Sequence, residues 1–318
     1  MQAPQADWHS LPHLPLFLQP AYLDAACGAG GWGVAVARDG EGRVRGIWPY
    51  ERVRRWGVAV LRTPPLTPWL GPWLVPPEAP LRATRLVDWQ WRTYGDLLAQ
   101  LPGAAHISIR CPRQLANGMP FQHAGWQQRV RYTYVLRELQ DTAALWAGLR
   151  PEARNKVRKA EGQLSIITAR DIEAYWPLVE ASFRHRGARI DFGRGAFERL
   201  ANWLISSGSG QLTLAVDAQG RAHAGQLCCR DGQTTYNQLL VSDPALRQSG
   251  AAALLLWSSI RQSAEEGCTA FDFAGSHLPG IEGFLRAFGG SPEPYYWLTR
   301  QRRWLSAAMA LRAAWRNG

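Results

Sequence analysis

The stretch "LRQSGAAALLL" (246–256) decides how the rest of the chain is read. It stands between a β-rich segment, "TTYNQLLVSD" (234–243), and an apolar run that continues through "WSSIRQSAEEG" (257–267). The apolar spacing after Ser249, with a stop at Gly267, predicts a helix that begins at small residues. A helix start leaves backbone N–H groups unpaired and carries partial positive charge. Small residues there let an anion approach those groups, and Arg247 adds a charge-assisted donor. The plainer reading of Arg247-x-x-Gly250-x-Ala252 is a helix start that merely packs on a sheet.

Working outward, "QLTLAV" (211–216), "AHAGQLCCR" (222–230) and "TTYNQLLVSD" read as antiparallel strands separated by "DAQG" and "DGQ" turns. Before them, "DIEAYWPLVEASFRHRG" (171–187) and "GRGAFERLANWLISSG" (193–208) have helical spacing. After the central helix come a strand "TAFDFAGS" (269–276), a short helix "GIEGFLRAFGG" (280–290) and a last strand "PYYWLTR" (294–300). The order is ααβββαβαβ. The first half repeats part of it, with a hairpin over 31–51, helix–Gly103–strand over 87–110, and helix end–Gly125–strand over 121–137. At a shift of 164 residues Gly103 falls on Gly267, Ile107 and Ile109 on Phe271 and Phe273, Gly125 on Gly289, and Tyr132 on Tyr296, without a gap. This is the pattern of a degenerate internal duplication. The proline-rich "RTPPLTPWLGPWLVPPEAP" (62–80) is too hydrophobic for a free linker and is expected to pack over a cleft.

The 318 residues leave room for two domains, and 46% hydrophobic with 19% charged residues excludes a disordered chain. A net charge of +11 favours an anionic partner: nucleic acid, a nucleotide or phosphorylated substrate, or an anionic membrane. All but two of the basic residues are arginine; the two lysines, Lys156 and Lys159, share "PEARNKVRKAEG" (151–162). No apolar run approaches the ~18–20 residues of a membrane span. "LPHLPLFLQP" (11–20) lacks a basic flank and is a poor signal peptide. Five cysteines, odd in number and without CxxC spacing, point to a reducing cytoplasm, with neither a disulfide frame nor a zinc site.

Between a third strand and a long helix, Arg247-x-x-Gly250-x-Ala252 resembles the R/Q-x-x-G-x-G/A pyrophosphate loop of GNAT acyltransferases, and the order over 171–300 is similar to theirs. "DPALRQSGAAALLLWSSI", "FDFAGS", "GIEGFLRAFGG" and "RNKVRKAEG" resemble more closely the FemAB-like, BioF2-like branch of tandem-GNAT proteins. The likeness covers about residues 30–300 in layout and 150–290 in motif detail. It implies an α/β (α+β) fold of tandem GNAT-like domains, each a mixed, mainly antiparallel sheet flanked by helices. The expected division is a degenerate N-terminal domain (1–149), a C-terminal domain with the pyrophosphate loop (150–300) and a basic amphipathic helix (301–318). The resemblance further implies an N-acyltransferase, without a metal, moving an acyl group, acetyl first, from acyl-CoA to an amine. Arg247, Gln248, Ser249, Gly250, Ala251 and Ala252 would hold the donor.

Fem-type members use aminoacyl-tRNA and a cell-wall precursor, and this is the second reading. The branch pattern F-K-x-x-F-G appears here as "FLRAFG" (284–289), with Leu285 at the lysine and Arg286 beside it as a substitute charge. Ala274 stands where the branch often has an acid. The missing lysine counts against Fem-type chemistry. A third reading, a non-catalytic nucleic-acid-binding protein, is allowed by charge and aromatics but has no RNP or helix-turn-helix signature.

Acyl transfer to an amine needs a positioned donor, a route for the amine's proton and a hydrogen-bond donor for the carbonyl oxygen. The resemblance lays the thioester along the strand holding Tyr236, Asn237 and Gln238; alternation puts Asn237 on the face opposite the other two. Asp272, Tyr236 and Ser276 are the catalytic candidates, Asp272 as general base or, alternatively, as a loop-capping carboxylate. Asn237, His277 and Arg286 are substrate-binding candidates. So are Arg154 and Arg158, which share a helix face and are expected to meet an interdomain cleft. Glu282 is expected to serve the helix dipole. Strand alternation disfavours a nucleophile at Cys228–Cys229, and Trp69 and Trp73 are the best candidates for stacking. The tail "TRQRRWLSAAMALRAAWRNG" (299–318) suits an anionic membrane surface or docking on the protein itself. The expected location is the cytoplasm, with peripheral contact at the inner face of the membrane. The expected acceptor is a small-molecule or cell-wall-precursor amine.

Overall fold

The computed structural model describes residues 8–305, except Trp56, Ala116, 276–278 and Arg303. Ser276, His277 and most of 301–318 therefore lie outside the described residues. In chain order the elements begin with α1 (Pro20–Cys27), β1 (Trp32–Arg38), β2 (Val44–Arg55), β3 (Val58–Arg62), β4 (Trp73–Leu74) and α2 (Ala83–Gln100). Next come β5 (His106–Arg110), α3 (Met119–His123), β6 (Gln127–Arg137), α4 (Thr142–Gly148), α5 (Pro151–Glu161), β7 (Ser165–Thr168), α6 (Trp176–His185) and α7 (Arg194–Ser206). The chain continues with β8 (Gly210–Val216), β9 (Ala222–Asp231), β10 (Thr234–Ser242), α8 (Ala251–Glu265), β11 (Ala270–Asp272), α9 (Pro279–Arg286) and β12 (Ser291–Gln301).

Two compact units form, one from Met1–Arg131 with Pro294–Gly318 and one from Tyr132–Glu293. The first has strands in the order β1-β2-β3-β5-β12, with β4 on β2; only β3–β5 is parallel. The second has β6-β11-β10-β9-β8-β7, and only β10–β11 is parallel. Both sheets are thus mixed and mainly antiparallel.

The registers repeat. His106 faces Gln301 across β5–β12, and Ala270 faces Arg137 across β11–β6. A shift of 164 residues carries His106 to Ala270 and Arg137 to Gln301. The last strand of each repeat therefore pairs in the sheet of the other unit. The sequence division at 149/150 lies inside the second unit, between α4 and α5. Periodicity declares a strand but does not name its partner.

In the second unit α8 buries Leu254, Leu255, Leu256, Trp257 and Ile260. The basic helix α5 seats Ala153, Val157 and Ala160, at i, i+4 and i+7, in the same core. In the first unit Trp48, Tyr94, Leu97, Ile109, Phe121 and Leu298 form the core.

Three expectations change. The helix expected from 171 starts at Trp176, because Pro177 belongs in a first turn. The strand expected over 269–276 stops at Asp272, because Ala274 and Gly275 adopt φ of 55° and 70°. The proline-rich stretch is part of the first unit's own core, not a cover over a cleft. Thr67 is buried and meets the Tyr22 hydroxyl at 3.0 Å, and Trp69 packs edge-on against Phe17. Trp69 is thereby occupied and offers no free face for stacking.

Candidate functional site

The site begins where β10 and β11 part. Tyr236 opposite Asp272 is their last paired position, while β10 continues to Ser242 with only β9 beside it. Asp272 anchors the departure: its Oδ1 accepts the Ala274 N–H at 2.8 Å and the Thr133 hydroxyl at 2.6 Å. Parting leaves one backbone edge of residues 237–242 along a groove of about 520 Å³.

A 3-10 turn (Pro244–Ser249), capped by the Asp243 carboxylate on the Ala245 N–H at 2.9 Å, leads from β10 to α8. Gly250 then takes φ 82°, ψ 6°, a left-handed conformation that glycine adopts freely, and starts α8. Helix geometry leaves the first N–H groups without intrahelical acceptors; that of Ala251 meets Ser249 Oγ at 3.4 Å. Glycine is required for a second reason, since a Cβ at position 250 would overlap the Lys156 carbonyl oxygen of α5. Lys159 Nζ ties the same turn to α5 by donating to the Gln248 carbonyl at 2.9 Å.

The groove is lined by Lys156, Arg186 and Arg247, with His185 and His223, and by no Asp or Glu among the described residues. Arg247 Nη1 lies 3.5 Å from His185 Nε2. His223 is held by Asp217, Nε2 to Oδ2 at 3.1 Å. A positive groove at a helix N-terminus suits an anion.

Of the residues singled out in the sequence, Arg247, Gln248, Ser249, Gly250, Ala251, Ala252 and Asn237 line this groove. Tyr236 and Asp272 do not; both are buried side by side in the β10–β11 pair. Arg154 donates through Nη1 to the Ala147 carbonyl at 2.9 Å and to the Leu149 carbonyl, closing the end of α4. Arg158 lies over the Trp146 ring at 5.6 Å. Arg286 pairs with Glu282 at 3.1 Å, and Glu282 also accepts the Tyr134 hydroxyl, a partner the dipole reading did not foresee. That hydrogen bond, before burial, raises the Tyr134 pKa. Leu285 lines the groove and joins the core, while Arg286 is not among the groove-lining residues and pairs with Glu282. Burial raises the Cys228 thiol to about 12 and the Cys229 thiol as well, which suits inert core residues.

Sequence reasoning missed His185, His223 and Lys156 as lining residues. The clustering of both lysines was the one visible signal, and its meaning, contact with the 244–250 turn, needed the packing of α5. Among the described residues no three metal-ligating side chains gather, and no helix is long and apolar enough to cross a membrane.

Residues 147–284 match the model of the acetyltransferase (GNAT) domain. No curated protein matches the sequence. Among solved structures, FemX is similar over 91% of this chain and 93% of its own, at 14% identity and a TM-score of 0.62. The C-terminal domain of a putative lysylphosphatidylglycerol synthetase from Agrobacterium fabrum matches over 94% and 92%, at 14% identity and a TM-score of 0.55. L-PGS from Bacillus licheniformis matches over 92% and 93%, at 9% identity and a TM-score of 0.50. The groove, its loop and its splayed strands all fall within or beside the segment that matches the GNAT-domain model, and the fold over most of the chain is similar to that of FemX.

Proposed function

We propose that the protein is a GNAT-type N-acyltransferase that takes an acyl group, acetyl first, from acyl-CoA and passes it to an amine. The observation that carries this reading is the carboxylate-free groove ending at the start of α8. Its cations and helix-terminal N–H groups suit a diphosphate. The open edge of 237–242 suits an extended, amide-bearing arm laid down as an added strand would be. Bound acyl-CoA would supply the activated acyl carbon. The chain's own part is to anchor the phosphates at 247–252, align the arm along β10, and exclude water with Phe273, Ile281 and Phe284. The test is a thermal shift with coenzyme A and acetyl-CoA, followed by thiol release over a panel of amines. A rise in Tm that disappears in Gly250→Glu supports the reading; no rise in the wild-type protein sinks it.

A second reading, aminoacyl transfer from aminoacyl-tRNA, draws on the net charge of +11 and the FemX-like fold. Leu285, apolar and buried where the branch pattern has lysine, weighs against it. Salt-sensitive tRNA binding without a coenzyme A shift would select it.

A further inference from the structure

The first unit has a cavity of its own, of about 390 Å³, where the end of α2 meets the paired strands β5 and β12. Ile107 and Trp126, 5% and 4% exposed, form its depth beside Leu98 and Leu101. Arg300, opposite Ile107 in the β5–β12 register, and Arg302 are exposed and stand at its mouth. No Asp or Glu lines it among the described residues.

The protein leaves both arginines unengaged. Among the described residues their guanidinium groups make no ion pair and no hydrogen bond. The C-terminal end of a helix attracts cations, and a Cβ at Gly103, just past α2, would lie 3.5 Å from Arg302 Nη2. Yet that guanidinium donates to no described carbonyl of α2.

The internal repeat shows that the fold does not demand this chemistry. At a shift of 164 residues Leu101 and Pro102 correspond to Glu265 and Glu266, and Glu138 to Arg302. In the second unit charges at this place are spent within the protein: Glu266 pairs with Arg230 at 3.2 Å and Arg137 with Glu293 at 2.7 Å. One place in the repeat is therefore acidic and internally paired in one unit, and apolar with unpaired cations in the other.

We infer that this cavity binds a single-chain anionic amphiphile, a medium-chain carboxylate, with the chain against Ile107 and Trp126 and the carboxylate on Arg300 and Arg302. Burial against the apolar walls favours the chain, and the cations select the head. The volume lies near the small end of ligand sites and suits one chain, not the two of a phospholipid. The inference is independent of the acyl-CoA reading.

The experiment is calorimetry on the full chain with decanoate, hexanoate, decanol and decyltrimethylammonium, each below its micelle concentration. The wild-type protein should bind decanoate and lose up to about fourfold in affinity for each methylene removed. It should prefer decanoate to decanol and to the cation by about 3- to 10-fold. Leu101→Glu, which installs the residue found at Glu265 in the second unit, should remove decanoate binding. Arg300→Glu with Arg302→Glu, both exposed, should turn the preference toward decyltrimethylammonium. None of these positions lines the groove at α8, so decanoate binding that survives Leu101→Glu belongs elsewhere and overturns the site. Should that variant not fold, an unchanged head preference in the double arginine variant does the same. Wild-type protein that binds no decanoate, or binds decanol equally well, also overturns it. Binding to phosphatidylglycerol vesicles but not to decanoate, lost in the same variants, overturns the single-chain ligand in favour of a membrane surface.

Discussion

Gly250 and Lys156 meet backbone to backbone: the Gly250 Cα faces the Lys156 carbonyl oxygen with no room for a side chain between them. The contact joins the phosphate-loop candidate to the helix that carries both lysines. Gly250→Ala must shift α5 and also hold φ near 82°. The expected loss is about 2–4 kcal/mol of stability by urea denaturation, with weaker coenzyme A binding. Gly95→Ala in α2, where a Cβ meets nothing within 4 Å, is the control and should gain about 0.5–1 kcal/mol.

The two kinds of cation on α5 should separate by readout. Arg154→Ala removes donors from the Ala147 and Leu149 carbonyls and should cost about 1–2 kcal/mol, discounted for partial exposure. Arg158→Ala loses its seat over Trp146, worth about 0.5–1 kcal/mol. Neither should change coenzyme A affinity, whereas Lys156→Ala should weaken it by about 3- to 10-fold in calorimetry. Weakened binding in the arginine variants would restore the anion-binding role expected of them from the sequence.

Asp272 is expected to act through the turn it holds. Asp272→Ala strands the Thr133 hydroxyl and the Ala274 N–H and should cost about 2–4 kcal/mol. Asp272→Asn keeps an acceptor in place and should cost less, with coenzyme A binding and turnover retained. Loss of turnover in a folded Asp272→Asn protein would return the residue to catalysis.

Acid should expose the Asp217–His223 contact. Burial pushes the Asp217 pKa up, but the Arg221 N–H, the His223 ring, the Arg221 side chain and the Gln219 N–H together hold it well below the usual carboxylate range. A depressed carboxylate contributes stability above the unfolded pKa, and the contribution fades as pH falls below about 4. Asp217→Asn should therefore lower Tm at neutral pH, and the gap to wild type should narrow from about pH 5 toward pH 2. A gap constant over that range contradicts the assignment.

Thiol titration tests the core placement of the cysteines. Cys111, Cys228, Cys229 and Cys268 are buried and Cys27 is half-buried. Native protein should react with one equivalent of a disulfide reagent, at Cys27, and Cys228→Ala should keep its transferase activity. Rapid labelling of Cys228 would show a reactive thiol that burial forbids.

Much was legible in the residues alone. The element order over 171–300, the turn at 246–252 and the 164-residue repeat all follow from local signals: apolar period, glycine position and turn residues. Those signals act within a few residues, so one sequence carries them. Tertiary structure alone decided which strands β6 and β12 pair with, since strands of equal pattern compete and only the whole sheet selects the register. Alternation separates Asn237 from Tyr236, but the parting of β10 from β11 and the register shift after Asn237, which bring Asn237 and Gln238 to one groove, lie outside any alternation rule. Tertiary structure also gave the lysines their place: Lys156 and Lys159 meet the 244–250 turn, while Arg154 and Arg158 spend their charge on α4, because the angle at which α5 packs belongs to the core and not to the helix.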